Sequence, residues 1–135
     1  MAKIKGGYII LSRKTIDSEI WSKPPLYLKV WVWLLSHAQF KGYKGLKRGQ
    51  IRTKIPDIVK GISWKSGYRK EYPSKDQVYK VIAWLKKNND ITTKRATHGM
   101  IITIENYNIY QDAKNYGSKS QDNIKTAKTD VLKDK

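Results

Sequence analysis

The sequence has no cysteine in its 135 residues. That removes disulfides, thiolate zinc sites and thiol nucleophiles together. Only two histidines are present, His37 and His98, and their separation matches no metal-ligand spacing. Gly42, Gly45 and Gly49 form no phosphate-cradling pattern ahead of a helix. The carboxylates are scattered singly, and no Ser/His/Asp grouping stands out. The expectation is a protein that is not an enzyme, with no catalytic residue, metal site or cofactor. Long apolar runs are missing too. The longest extends from Leu26 to Leu35 with Lys29 inside it, well short of the ~20 residues that cross a bilayer. The basic opening Met1–Gly7 is followed by only Tyr8–Leu11 as an apolar stretch, too short for the centre of a secretory signal. A soluble, cytoplasmic protein with no membrane span is expected.

Negative charge is scarce: 11 Asp+Glu stand against 28 Lys+Arg, a formal net charge of +17. An excess of that size makes a polyanion the default partner, nucleic acid first and an acidic membrane surface second. At 39% apolar and 11% aromatic residues there is enough material for a core. Residues 1–112 hold 22 basic and 8 acidic residues, and residues 113–135 hold 6 and 3. The excess therefore belongs mainly to the part expected to fold, a single domain over 1–112. Residues 113–135 are polar and read as a disordered basic tail or linker.

Along the folded part, Tyr8–Leu11 suggests a short strand and Thr15–Trp21 a brief helix ended by Pro24 and Pro25. Leu26–Gln39 has no breaker and reads as the longest helix. Its apolar residues surround the axis, so it is either buried centrally or lends a face to a partner. In the second case Tyr27, Trp31 and Leu35 would form a homodimer seam. Residues 42–49 read as a loop and Gln50–Arg52 as an extended piece. Thr53 is placed to cap a helix with Ile55, Ile58, Val59 and Ile62 on its apolar face. A turn-rich basic loop, Ser63–Pro73, comes next.

Ser74-Lys75-Asp76-Gln77 is a capping box, the clearest helix start in the chain. Val78, Val81, Ile82 and Leu85 then recur at i, i+3, i+4, i+7, a single buried stripe. At 100° per residue the opposite side carries Asp76, Lys80, Ala83 and Lys87, flanked by Tyr79 and Trp84. Ile91–Arg95 and Met100–Ile104, with a turn at Ala96–Gly99, form a β-hairpin. Two short helices followed by a hairpin wing predict an α+β fold of the winged helix-turn-helix kind. Its recognition helix would set Ser74, Lys75, Gln77, Tyr79, Lys80, Ala83 and Lys87 toward double-stranded DNA. The wing would add Lys94, Arg95 and His98 on phosphates or in the minor groove. The preceding loop interleaves Lys65, Arg69 and Lys70 with Trp64, Tyr68 and Tyr72. That pattern suits a backbone clamp or stacking on an unpaired base. His37 reads as a structural histidine.

Several segments resemble a known group. These are Gly7–Lys14, Ile20-Trp21 with Pro24 or Pro25, Lys29–Leu35, Lys47–Thr53, Gly61–Trp64, Trp84–Asn89, Ile101–Tyr107 and Tyr110-Gln111. Together they resemble phage and mobile-element replication proteins whose N-terminal domain is related to that of the replication initiator DnaD. The resemblance spans roughly residues 6–111 and carries fold more than task. It implies a winged-helix domain that binds origin DNA or self-associates, acting as a replisome organiser in a bacterial host cell. Its implied partners are a second copy of the chain and helicase-loading replication proteins. Nothing after Gln111 resembles the helicase-contacting domain of such proteins. A short regulator built on the same domain also fits, and the alternative expectation is a protein-interaction module or phage-encoded inhibitor that binds a host nucleic-acid-processing protein.

Overall fold

The computed structural model describes residues 4–117. Ser12 caps a 3-10 turn at Arg13–Asp17, and a second 3-10 turn follows at Glu19–Ser22. These replace the single brief helix expected over Thr15–Trp21. Pro24 and Pro25 do more than end that region: they open helix α1, Pro25–His37, with Pro25 at the first helical position. Proline suits that position because its missing N–H would have no partner there in any case.

The remaining elements are strand β1 (Gln50–Thr53), helix α2 (Ile55–Gly61), strands β2 (Trp64–Ser66) and β3 (Arg69–Glu71), helix α3 (Lys75–Lys87), strands β4 (Ile91–Ala96) and β5 (Gly99–Ile104), and the short helix α4 (Tyr107–Tyr110). The architecture is mixed α+β with two small antiparallel sheets, one ordered β1-β5-β4 and the other β2-β3. Thr53 is not the cap of α2. It pairs with Met100 as the last residue of β1, and Lys54 occupies the cap position without a side-chain hydrogen bond. The expected loop at Ser63–Pro73 is instead largely the β2–β3 hairpin.

The core joins Val30, Leu34 and Leu35 of α1 to Ile58 and Ile62 at α2, the α3 stripe, and Ile51, Ile91, Ile102 and Ile104 of the larger sheet. Leu35 is only 3% exposed. It has no surface to give a dimer seam. Tyr27 and Trp31 are half-buried against the same core. Of the two readings of α1, central burial is the one its core residues follow. Helix α2 packs closely on α1 because Gly61 has no side chain: a Cβ there would collide with the Trp33 indole nitrogen.

Residues 8–11 form no strand. A side chain takes the place of a neighbouring strand: the Ile10 N–H donates to Gln111 Oε1 at 2.8 Å, and Gln111 Nε2 donates to the Ile10 carbonyl at 2.9 Å. Gln111 is 5% exposed, and its own carbonyl accepts from Arg48 at 3.3 Å. Arg48 in turn lies 4.3 Å from the Phe40 ring centre and 5.5 Å from that of Tyr107. Past the expected boundary at residue 112, Asn115 Nδ2 and the Tyr116 hydroxyl donate to the carbonyls of Ile109 and Tyr110. The rest of the expected tail, from residue 118, lies outside the described residues. Among the described residues no helix is long and apolar enough to cross a membrane.

Gln111→Leu removes both partners of Ile10 while filling a similar volume. It is expected to cost about 1–3 kcal/mol in denaturant unfolding and to speed hydrogen exchange at the Ile10 amide. An unchanged exchange rate there would show that Gln111 does not hold the N-terminal segment.

Candidate nucleic-acid interface

Helix α3 starts as its residues dictate. The Gln77 N–H donates to Ser74 Oγ at 3.0 Å, and the Ser74 N–H donates to Gln77 Oε1 at 2.8 Å. Ser74 and Gln77, both expected to meet DNA, therefore spend these oxygens on the helix end. Val78, Val81, Ile82 and Leu85 are buried. This rotation leaves Asp76, Lys80, Ala83 and Lys87 exposed in one row, with Lys75 at the N-terminal end. Tyr79 is exposed along one flank. The other flank is closed: Trp84 meets Tyr27 edge-on at 5.7 Å, and Lys23 Nζ lies 5.2 Å from the Trp84 ring centre. At the C-terminal end, burial pushes the Asp90 carboxyl above the usual carboxylate range, with Glu19 adding to the rise and the Asn88 amide opposing it.

The β4–β5 hairpin separates two residues that the sequence grouped together. Strand alternation puts Arg95 on the face that carries Ile91, in a row with Met100 and Thr53. Lys94 lies on the opposite, outer face, where the register aligns Arg52, Ile101 and Lys94 across the three strands. Arg52 carries no signal of its own in the sequence because its strand is only four residues long. At the hairpin turn His98 takes φ 60°, and Lys54 packs beside Gly99. His98 is exposed.

The β2–β3 hairpin sits directly ahead of the α3 cap. Its base is tied to α1, since Lys29 Nζ donates to the Ser63 carbonyl at 3.1 Å and lies 5.9 Å from the Trp64 ring centre. Cross-strand pairs are Trp64 with Glu71, Lys65 with Lys70, and Ser66 with Arg69. Arg69 forms an ion pair with Glu71 at 3.4 Å. Lys65 and Lys70 face each other directly, an arrangement that costs stability. Tyr68 is at the tip and is 97% exposed.

Few of these cations are compensated. Among the described residues the only ion pairs are Arg69 with Glu71 and Lys114 with Asp112. His37, exposed rather than buried, stacks on Trp33 at 4.1 Å, and its Nδ1 lies 2.9 Å from the Trp33 carbonyl. Comparison with known proteins gives no match, whether to family models, curated proteins or solved structures.

Two outcomes test this geometry. Ser74→Ala should cost about 1 kcal/mol of stability through loss of the cap, read from the urea midpoint at constant slope. Lys65→Glu should place an ion pair opposite Lys70 and stabilise the fold by about 0.2–1 kcal/mol. A lowered midpoint for Lys65→Glu would contradict the cross-strand register.

Proposed function

We propose that this chain is a winged helix-turn-helix protein that binds double-stranded DNA. Helix α3 is its recognition helix and the β4–β5 hairpin its wing. The fold part of the proposal draws support from the order α1-β1-α2-β2-β3-α3-β4-β5, in which a small hairpin is inserted between α2 and α3 and the first strand of the larger sheet pairs with the last. The observation that carries the function is the outward row on α3, where Lys80, Ala83 and Lys87 stand with Asp76 and neither lysine is ion-paired among the described residues. A small residue between hydrogen-bonding side chains lets a helix approach base edges closely. Arg52 and Lys94, on the outer sheet face, would lie on phosphates and set position rather than sequence.

The biological setting follows from the resemblance over residues 6–111. It is replication initiation of a phage or mobile element, or its regulation, in a bacterial host. Helicase-loading proteins and a second copy of the chain are its proposed partners. A second reading is favoured by one observation, the exposed apolar side chains Tyr8, Ile16 and Trp21 in the N-terminal segment. It makes the chain an interaction module that engages a host nucleic-acid-processing protein.

A salt titration separates the two. DNA binding should fall with a log–log slope of about −0.9 per phosphate contacted, whereas contact through apolar groups changes little with salt. Lys80→Ala should reduce discrimination between a selected sequence and its mismatches. Lys94→Ala should weaken every duplex by the same factor and make the slope shallower by about one. Duplex binding weaker than about millimolar at low salt would overturn the DNA reading, because even non-specific binders reach about 10⁻⁴ M or tighter.

A further inference from the structure

We infer that the β2–β3 hairpin selects DNA in which an unpaired base lies beside a duplex, with Tyr68 stacking on that base and Lys65 and Lys70 holding the flanking phosphates. The inference rests on the DNA reading above and gives that surface its preferred substrate.

Three features of the hairpin converge. First, it contributes little to the core: five of its six strand residues are exposed and the sixth, Glu71, is only partly covered. Two-stranded hairpins of this size are marginal by themselves, so burial does not explain its side chains. Second, its turn is Gly67-Tyr68, with Gly67 at φ 69° and Tyr68 not in the positive region. That is the pattern of a type II′ turn, which needs glycine first. The second position ordinarily takes a small polar residue. A tyrosine that is 97% exposed there gains nothing from the fold. Third, the Lys65–Lys70 pair stands on one face with like charges opposed, a cost that a bound anion would relieve.

The chemistry of the tip decides the ligand. Every base in an intact duplex already has its faces covered by its neighbours. An aromatic ring on a short hairpin gains stacking only where a base is unpaired or a duplex end is open. The paired lysines ask for phosphates on either side of that base. Lys29 holds the hairpin base by Ser63 and Trp64, so the tip is presented at a set position ahead of α3.

The test uses the full chain with three labelled probes: a fully paired duplex, the same duplex with a single-stranded overhang, and the same duplex with a one-nucleotide bulge. All are titrated at one salt concentration by fluorescence anisotropy. The overhang or bulge should bind tighter than the paired duplex by about 5- to 150-fold, the range expected from stacking one base. Tyr68→Ala should bring that ratio close to one, and Tyr68→Phe, which keeps the ring, should preserve it. A 2-aminopurine at the unpaired position should be quenched by the parent chain and by Tyr68→Phe but not by Tyr68→Ala. Lys65→Gln with Lys70→Gln should make the salt slope shallower by about two on the overhang and bulge probes. Salt-dependent binding with equal affinity for all probes overturns this inference and leaves the DNA reading standing. A junction preference that survives Tyr68→Ala overturns it as well. Failure to bind any probe overturns both.

Discussion

The rotation of α3 is the constraint on which the candidate surface depends. Val78, Val81 and Leu85 are fully buried and Ile82 nearly so, and each such side chain stabilises the fold by about 1.5–3 kcal/mol. Turning the helix by one residue would expose part of this stripe and bring Lys80 or Lys86 toward the core. The apolar stripe therefore decides which residues face outward, with Asp76, Lys80, Ala83 and Lys87 as its complement. The capping box holds the first turn in the same register, so Lys75 is presented from a helix end whose first N–H groups are capped.

The larger sheet applies the same logic with a period of two. Ile51 and Ile102 are paired in register and turn inward, as do Ile91 and Ile104, which leaves Arg52, Ile101 and Lys94 on the outside. Pairing β1 with β5 links residues about fifty positions apart, and it encloses α2, the small hairpin and α3 between them in sequence. In both elements burial of apolar groups drives cations to the surface. Few carboxylates are available to neutralise them, and the resulting self-repulsion is a cost that a polyanionic partner would offset.

The parts legible in the sequence were those with a local signature. The capping box and the i, i+3, i+4, i+7 stripe placed α3, and two β-branched runs around a turn placed β4 and β5. Unbroken helical residues placed α1 as well. The misses at Tyr8–Leu11 and Thr53 share a different cause: each was decided by a partner distant in sequence. Tyr8–Leu11 has strand-forming residues, yet the hydrogen bonds of Ile10 go to a side chain 101 positions away. Trp64–Glu71 lacks apolar alternation, and its base is held by Lys29 on α1. Thr53 looks like a cap until Met100 claims it as a strand partner. Of the expected site, exposure on α3 was legible from periodicity. The division of Lys94 from Arg95 needed the register, and the commitment of Ser74 and Gln77 to the cap limits what their side chains can offer a ligand.

The two flanks of the α3 row differ in a way that bears on how a proposed groove contact would work. Trp84 is braced by Tyr27 and by Lys23, so that edge is fixed by packing between helices. Tyr79, on the other edge, is 65% exposed and can change rotamer at small cost. A surface that is rigid on one side and adjustable on the other discriminates ligands through the rigid side, because misfit there cannot be relieved without disturbing α1. The adjustable side accommodates variation. Sequence preference, on this reasoning, should be set from the Lys80–Trp84–Lys87 side of the helix. The β2–β3 hairpin would add a third contact whose selectivity depends on stacking, which is independent of base identity to first order. Base identity and strand structure would then be read by two different elements, joined in sequence by Tyr72 and Pro73 and linked in space through Lys29 of α1.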